Sequence, residues 1–293
     1  MLMKKYVAFF CIVTCAAFTH PGFAEFGDKP GDFVFPVGIA LDGQNNILIT
    51  DLGHDKVQQL DQQQKFIAGW GHWAADSTGF DDPCGIAVAP DGSIYIADMN
   101  NHRVVVCDPT GQRLRQIQLP DSSAPYGIVF HPGGYWFVSD CRRDRIYKLS
   151  PEGAVTLTIG STGSDPLQFK SPKGLAVDGE GRLYVVDAGN DRIQVLSPEL
   201  TLVTSWGSYG DGEGEFDDPS DIAISPAGSV FVTDSGNDRF QEFDYSGAFK
   251  SQGGGPGSDN GQFLSPRGIA VDAAGSLYII DYENHRLVVF SAQ

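Results

Sequence analysis

Six aspartates carry the most regular chemistry-bearing pattern in the chain. Asp51, Asp98, Asp140, Asp187, Asp234 and Asp281 are each followed five residues later by a base: Lys56, Arg103, Arg145, Arg192, Arg239 and Arg286. A ring of carboxylates could hold a divalent metal or act as acid and base. The pair recurs along the whole length, however, and copies so widely spread do not converge on one reaction centre. Each Asp is expected to accept backbone N–H groups of its own turn and to hold the base beside it. One acid departs from the pattern. Asp221 stands two residues after Pro219, where Gly38, Gly85, Gly127, Gly174 and Gly268 follow the equivalent prolines. With Tyr126, Lys173, Arg267 and Tyr282 it makes a candidate polar ring for a small ligand or a peptide terminus. The competing expectation is internal pairing, with Asp221 neutralised by Lys173 or Arg267.

The remaining reactive residues form no recognisable set. His102 and His285 occupy a slot that Asp191 and Asp238 fill elsewhere, so they are expected to be solvent-exposed turn residues. His54, His72 and His131 fall at dissimilar positions. No His-x-x-x-His pair, nucleophile elbow or phosphate loop is present, and no cofactor or resident metal is expected. The acidic run from Asp211 to Asp218 lacks the alternating oxygens of a calcium loop and is expected to be a solvated connection.

These residues are positioned by a repeat. Pro36, Pro83, Pro125, Pro172, Pro219 and Pro266 are spaced by 47, 42, 47, 47 and 47 residues, and each lies fifteen before its Asp. A period of this size marks stacked supersecondary units. Within a unit, an apolar run such as GLAV leads through a Gly-bearing turn to an alternating run such as RLYVVD. A third run opens on the base, as in RIQVL, and a weaker fourth ends near Trp70-Gly71 or Trp206-Gly207. Short β-branched and aromatic runs between turn signals are strands. Four antiparallel strands repeated six times predict an all-β, six-bladed β-propeller.

The Gly-Ile/Leu-Ala-Val and Leu-Tyr-Val-Val-Asp runs resemble the NHL repeat. So does Asn-x-Arg at Asn101–Arg103, Asn190–Arg192, Asn237–Arg239 and Asn284–Arg286. The resemblance covers nearly all of the chain after about residue 25. It implies a propeller that serves as scaffold, nucleic-acid binder or enzyme. Peptide-amidating lyases are similar propellers with histidines around a central zinc, some directly after the repeat Pro. Here those positions read Val37, Cys84, Tyr126, Lys173, Ser220 and Arg267. Lactonase-type propellers hold a metal in the channel with Glu, Asn and Asp; Asp221 is the one acid beside the Pro motif here.

At the start, Lys4 and Lys5 precede thirteen uncharged residues, Tyr6 to Phe18, which is too short to span a bilayer and fits a secretory signal. The expected cut follows Ala17, with Ala24 as the later alternative and lipid attachment at Cys15 as a third. The last unit stops after its third run. An N-terminal strand from residues 18–27 would complete that blade and close the ring without an open edge, making residues 18–293 one domain. The charge of −17 repels nucleic-acid backbones. A periplasmic or secreted monomer is expected, binding a protein, peptide or small ligand on one ring face; the alternative is a metal-dependent lyase or lactone hydrolase working in the channel. Cys84, Cys107 and Cys141 remain after export. Strand direction puts Cys84 and Cys141 on one face, so they pair as a disulfide or stay unpaired in the core.

Overall fold

The computed structural model describes residues 29–76, 78–120 and 122–291. The signal segment and the N-terminal closing strand both lie outside these residues. Blade 1 illustrates the unit. Its strands Pro36–Leu41, Ile47–Asp51, Lys56–Leu60 and Phe66–Trp70 pair in sequence order, each antiparallel to the last. Blades 2 to 5 repeat this arrangement, and blade 6 contributes three strands among the described residues: Pro266–Val271, Leu277–Asp281 and Arg286–Phe290. No helix among the described residues is long and apolar enough to cross a membrane.

The three fixed points of the repeat are one row across each blade. Pro172 stands opposite Asp187, and Asp187 opposite Arg192, with the same register at Pro36/Asp51/Lys56 and Pro266/Asp281/Arg286. A bulge follows the Pro in every innermost strand. A bulge lets two residues face one partner and re-aims their side chains. It is why the residue after each Pro reaches the channel. The glycine that comes next lies against the carbonyl of the adjacent blade. A Cβ at Gly85 would strike Tyr126 O, and one at Gly174 would strike Asp221 itself.

Side-chain alternation places one apolar face of each blade against the next. The result is six separate inter-blade cores, from Leu48, Val57 and Phe80 against Ile94, Ile96 and Val105, around to Tyr278, Ile280 and Leu287 of blade 6 against Phe33, Ile39 and Ile49 of blade 1. Phe33, Phe80, Phe169, Phe216 and Phe263 each stand three residues before a repeat Pro and are at most 2% exposed. These are anchors that the sequence reading passed over, although their spacing repeats. The shortened connection before Pro125 lacks the equivalent Phe.

The repeated aspartates are structural, with one change of partner. Asp187 is fully buried and accepts from Lys170 N rather than mainly from its own turn; it also takes Asn190 Nδ2, Arg192 Nε and Gln194 Nε2. Arg192 then reaches the carbonyls of Ser164, Asp165 and Gln168. Arg239 likewise clamps the carbonyls of Asp211, Gly212 and Glu215, which ties the backbone of the acidic connection to its blade while Asp211, Glu213 and Asp218 remain exposed to solvent. Blade 3 differs: Asp140 does bind its own turn at Arg142 N and Arg143 N, Tyr147 Oη donates to it from the position Gln194 holds in blade 4, and Arg145 Nε turns away to Arg143 O.

The slot four residues after each Asp corrects the expectation of free turn residues. Asp55, Asp144, Asp191 and Asp238 accept the N–H of Asp82, Ser171, Asp218 and Ser265, and His285 Nδ1 accepts that of Phe35 at 2.9 Å. Each is a latch to the following blade, and all sit in the left-handed backbone region that Asp and His tolerate. His285 can accept only while neutral, and burial lowers its pKa from 6.5. Below pH 6.5 the unfolded chain therefore takes up the proton more readily than the fold, and this latch's contribution is lost as pH falls from there. His285→Ala is expected to lower stability by about 1 kcal/mol. His285→Asp should be nearly neutral and should flatten the melt's decline between about pH 6.5 and 5.

Candidate functional site

The innermost strands put one side chain from each blade at a single mouth of the channel: Val37, Cys84, Tyr126, Lys173, Ser220 and Arg267. Of the residues that follow the repeat aspartates, Leu52, Met99, Cys141 and Tyr282 pack against them, while Ala188 is buried in the core between blades 4 and 5 and Ser235 Oγ donates to Pro266 O. The mouth has two halves. Val37, Cys84 and Tyr126 pack as one apolar cluster with Leu52, Met99, Cys141 and Tyr282. The other half, from blades 4 to 6, presents Lys173, Ser220 and Arg267.

Tyr126 bars the channel. It is 8% exposed, and its hydroxyl lies 3.1 Å from Ser220 Oγ, two blades away. Burial pushes the phenol's pKa up. Beneath this bar is a cavity of about 90 Å³, enough for several waters since one needs roughly 10–15 Å³. Its collar is the ring of aliphatic residues Ile39, Ile86, Ile128, Leu175, Ile222 and Ile269, and Asp221 is the only carboxyl in its lining.

Asp221 does not neutralise the mouth. Lys173 Nζ pairs at 2.7 Å with Asp218, and Arg267 makes no ion pair among the described residues. The Asp221 carboxyl instead accepts from Ile222 N at 2.9 Å and Ile269 N at 3.1 Å. Burial pushes its pKa up to about 7, against the downward pull of those two N–H groups. It is a carboxyl that changes charge near neutrality inside an aliphatic collar, a state suited to holding or exchanging a proton. Arg267 lies over Tyr282, its guanidinium carbon 3.9 Å from the ring centre. Of the five candidate site residues, Tyr126, Lys173, Arg267 and Tyr282 thus share the mouth, and Asp221 lies one layer deeper.

Cys84, Cys107 and Cys141 are free thiols, so the expected Cys84–Cys141 bridge is not formed. Cys84 and Cys141 nevertheless share the mouth cluster, while Cys107 sits between blades 1 and 2. Cys84 Sγ rests 3.8 Å from Met99 Sδ, and burial raises the pKa of all three thiols, to about 11 for Cys107 and Cys141. They are not poised as nucleophiles.

None of the histidines among the described residues lines the cavity. The one trio of acids close enough to share a cation among the described residues is Asp55, Asp81 and Asp82, at the seam of blades 1 and 2. Each of its carboxylates already accepts a hydrogen bond. Asp55 accepts from Asp82 N, and Asn100 Nδ2 donates to Asp81 and Asp82.

A family profile described as "NHL repeat" matches residues 80–107, 169–196, 216–243 and 263–290. Over 143 residues the chain is 25% identical to "Protein brain tumor" of Drosophila melanogaster, covering 48% of this chain and 14% of that protein. Over 98 residues it is 33% identical to the Caenorhabditis elegans protein "Probable peptidyl-alpha-hydroxyglycine alpha-amidating lyase pgal-1", covering 32% of this chain and 27% of that one. The chain therefore spans a minor part of the length of these curated relatives. Among solved structures, "Streptogramin B lyase structure" superposes with a TM-score of 0.65 at 15% identity, covering 92% of this chain and 97% of the other. At that identity the likeness is one of fold.

Proposed function

Since the chain carries NHL repeats and folds as a six-bladed β-propeller, we propose that it is an exported, rigid binding scaffold that takes a small ligand at the channel mouth. The observation that carries this reading is the residue after each repeat Pro. The backbone there repeats, bulge included, but the side chains run through valine, cysteine, tyrosine, lysine, serine and arginine. A fixed framework presenting unlike side chains toward one centre is a recognition surface with little ordering cost. Export rests on the charged and apolar leader of the sequence.

A second reading is favoured by the fold it shares with a lyase and by the near-neutral Asp221: a propeller enzyme working in the channel. The two are separated by elemental mass spectrometry of the purified protein, with thermal melts before and after chelator. The scaffold reading expects no stoichiometric zinc or calcium and an unmoved melt. About one tightly bound metal per chain, with a lowered melt on chelation, would overturn the scaffold reading and call for lyase and lactonase assays. Small-molecule binding is then read as a rise in melting temperature that scales with ligand concentration.

A further inference from the structure

Arg267 carries a charge that nothing among the described residues neutralises. In Arg103, Arg182, Arg192, Arg239 and Arg286 the Nε donates to an aspartate at 2.6–2.8 Å. Arg267 Nε is buried and has no hydrogen-bond partner. The groups that act on it are the hydroxyls of Tyr126 and Tyr282, which are neutral, and Asp218, which is spent on Lys173. A guanidinium removed from water without a counter-charge is costly unless an anion completes it. In a chain with 37 acidic residues against 20 basic ones, leaving this Arg unpaired is a local exception to an abundance of carboxylates.

A second observation stands beside it. The residue before the repeat Pro is Asp82, Ser171, Asp218 or Ser265 in four blades, all with positive φ. In blade 1 the same left-handed position holds Phe35, at φ 52°. A bulky residue there is strained by about 1 kcal/mol or more, yet Phe35 remains 37% exposed. Its ring lies 5.1 Å from Tyr282 and 4.5 Å from His285. Tyr282 in turn carries Arg267 on its face. An open aromatic wall and an unsatisfied guanidinium edge thus meet at the seam of blades 6 and 1.

We propose that this corner of the mouth binds a small organic anion, a carboxylate attached to an aromatic body. The carboxylate takes the edge of Arg267 in charge-assisted hydrogen bonds. The aromatic body lies against Phe35 and Tyr282 in offset or edge-to-face contact. This assignment rests on the binding reading above and names the ligand class for it.

The test uses the full chain with phenylacetate, its uncharged amide phenylacetamide, acetate and inorganic phosphate as probes, followed by calorimetry or saturation-transfer NMR. The expected result is that phenylacetate binds at least about tenfold more tightly than the amide or acetate. Arg267→Gln should weaken phenylacetate at least about tenfold, and Phe35→Ser, which installs the side chain of two other blades, should weaken phenylacetate while leaving acetate unchanged. Equal binding of acid and amide overturns the proposal. So does phosphate binding as tightly as phenylacetate with Phe35→Ser silent, which would make the corner a general anion site. If only phenylacetamide binds, the ligand class fails while the scaffold reading stands; if none of the four probes binds, the ligand class fails and the scaffold reading is decided by the metal measurement above. Should Arg267→Gln not fold, the acid–amide comparison and Phe35→Ser decide on their own.

Discussion

Asp187→Ala is expected to destabilise the protein by about 3 kcal/mol, because it strips the partly buried Arg192 of its counter-charge and removes the acceptor for three further donors. The donors are Lys170 N at 2.8 Å, Asn190 Nδ2 at 3.0 Å and Gln194 Nε2 at 3.0 Å, around a side chain with no exposed surface. The consequence goes beyond one blade. Arg192 oriented by Asp187 is what holds the carbonyls of the connection from blade 3. For a chain of this size the loss corresponds to a fall in melting temperature on the order of 10 °C. Thermal or urea melts of Asp187→Ala and of Glu180→Ala, an exposed acid nearby in sequence, provide the comparison. A fall of less than about 1 kcal/mol would mean that the row of aspartates is redundant with packing. Asp140→Ala should behave differently from Asp187→Ala, because in blade 3 Arg145 Nε bonds Arg143 O rather than Asp140, so no cation is stranded.

The contrast between what the sequence revealed and what it hid follows from the distance over which each interaction acts. The Pro–Asp–basic row was legible because antiparallel register converts a fixed spacing into a fixed neighbourhood, and fifteen residues bring Pro172 opposite Asp187. The blades were legible for the same reason. The latches were not: Asp191 looks like a turn residue within its own unit, and its partner, Asp218 N, is 27 residues on, in the next unit. A histidine at one copy and an aspartate at another suggest an indifferent position. The structure shows instead that either side chain can offer an acceptor from the same left-handed backbone. Asp221 was visible as a departure from glycine, but its expected pairing with Lys173 or Arg267 failed. The bulge sends alternate side chains to different depths, so the carboxyl lies in the cavity while both cations stay at the mouth. Nor could spacing reveal that Tyr126 crosses the channel to Ser220, 94 residues away.

Asp221→Asn is expected to change stability in opposite directions at the two ends of the accessible pH range. The folded-state pKa of about 7 lies above the ordinary 3.8, so the native protein binds this proton more tightly than the unfolded chain does. The stabilisation from that proton is complete below pH 3.8 and is lost as pH rises to about 7. At pH 8 the wild-type fold holds a desolvated carboxylate that Asn does not have. Because the group borders a cavity that can admit water, the relief is about 2 kcal/mol rather than the larger value full burial would give. Against this, Asn offers one acceptor where the carboxyl serves both Ile222 N and Ile269 N, at a cost of about 1 kcal/mol. The variant should therefore be more stable than wild type by about 1 kcal/mol at pH 8 and less stable by about the same amount at pH 4. Paired urea melts at the two pH values measure this, and a difference that does not change sign would show that the carboxyl is solvated rather than buried. A crossing would mean that blade 5 holds an ionised Asp221 at neutral pH to its own detriment, where five other blades manage with glycine. A residue that weakens the fold in the state in which it is charged acts on something other than the fold. A crossing would therefore direct the search for that action to the cavity beneath Tyr126, whose lining holds the carboxyl.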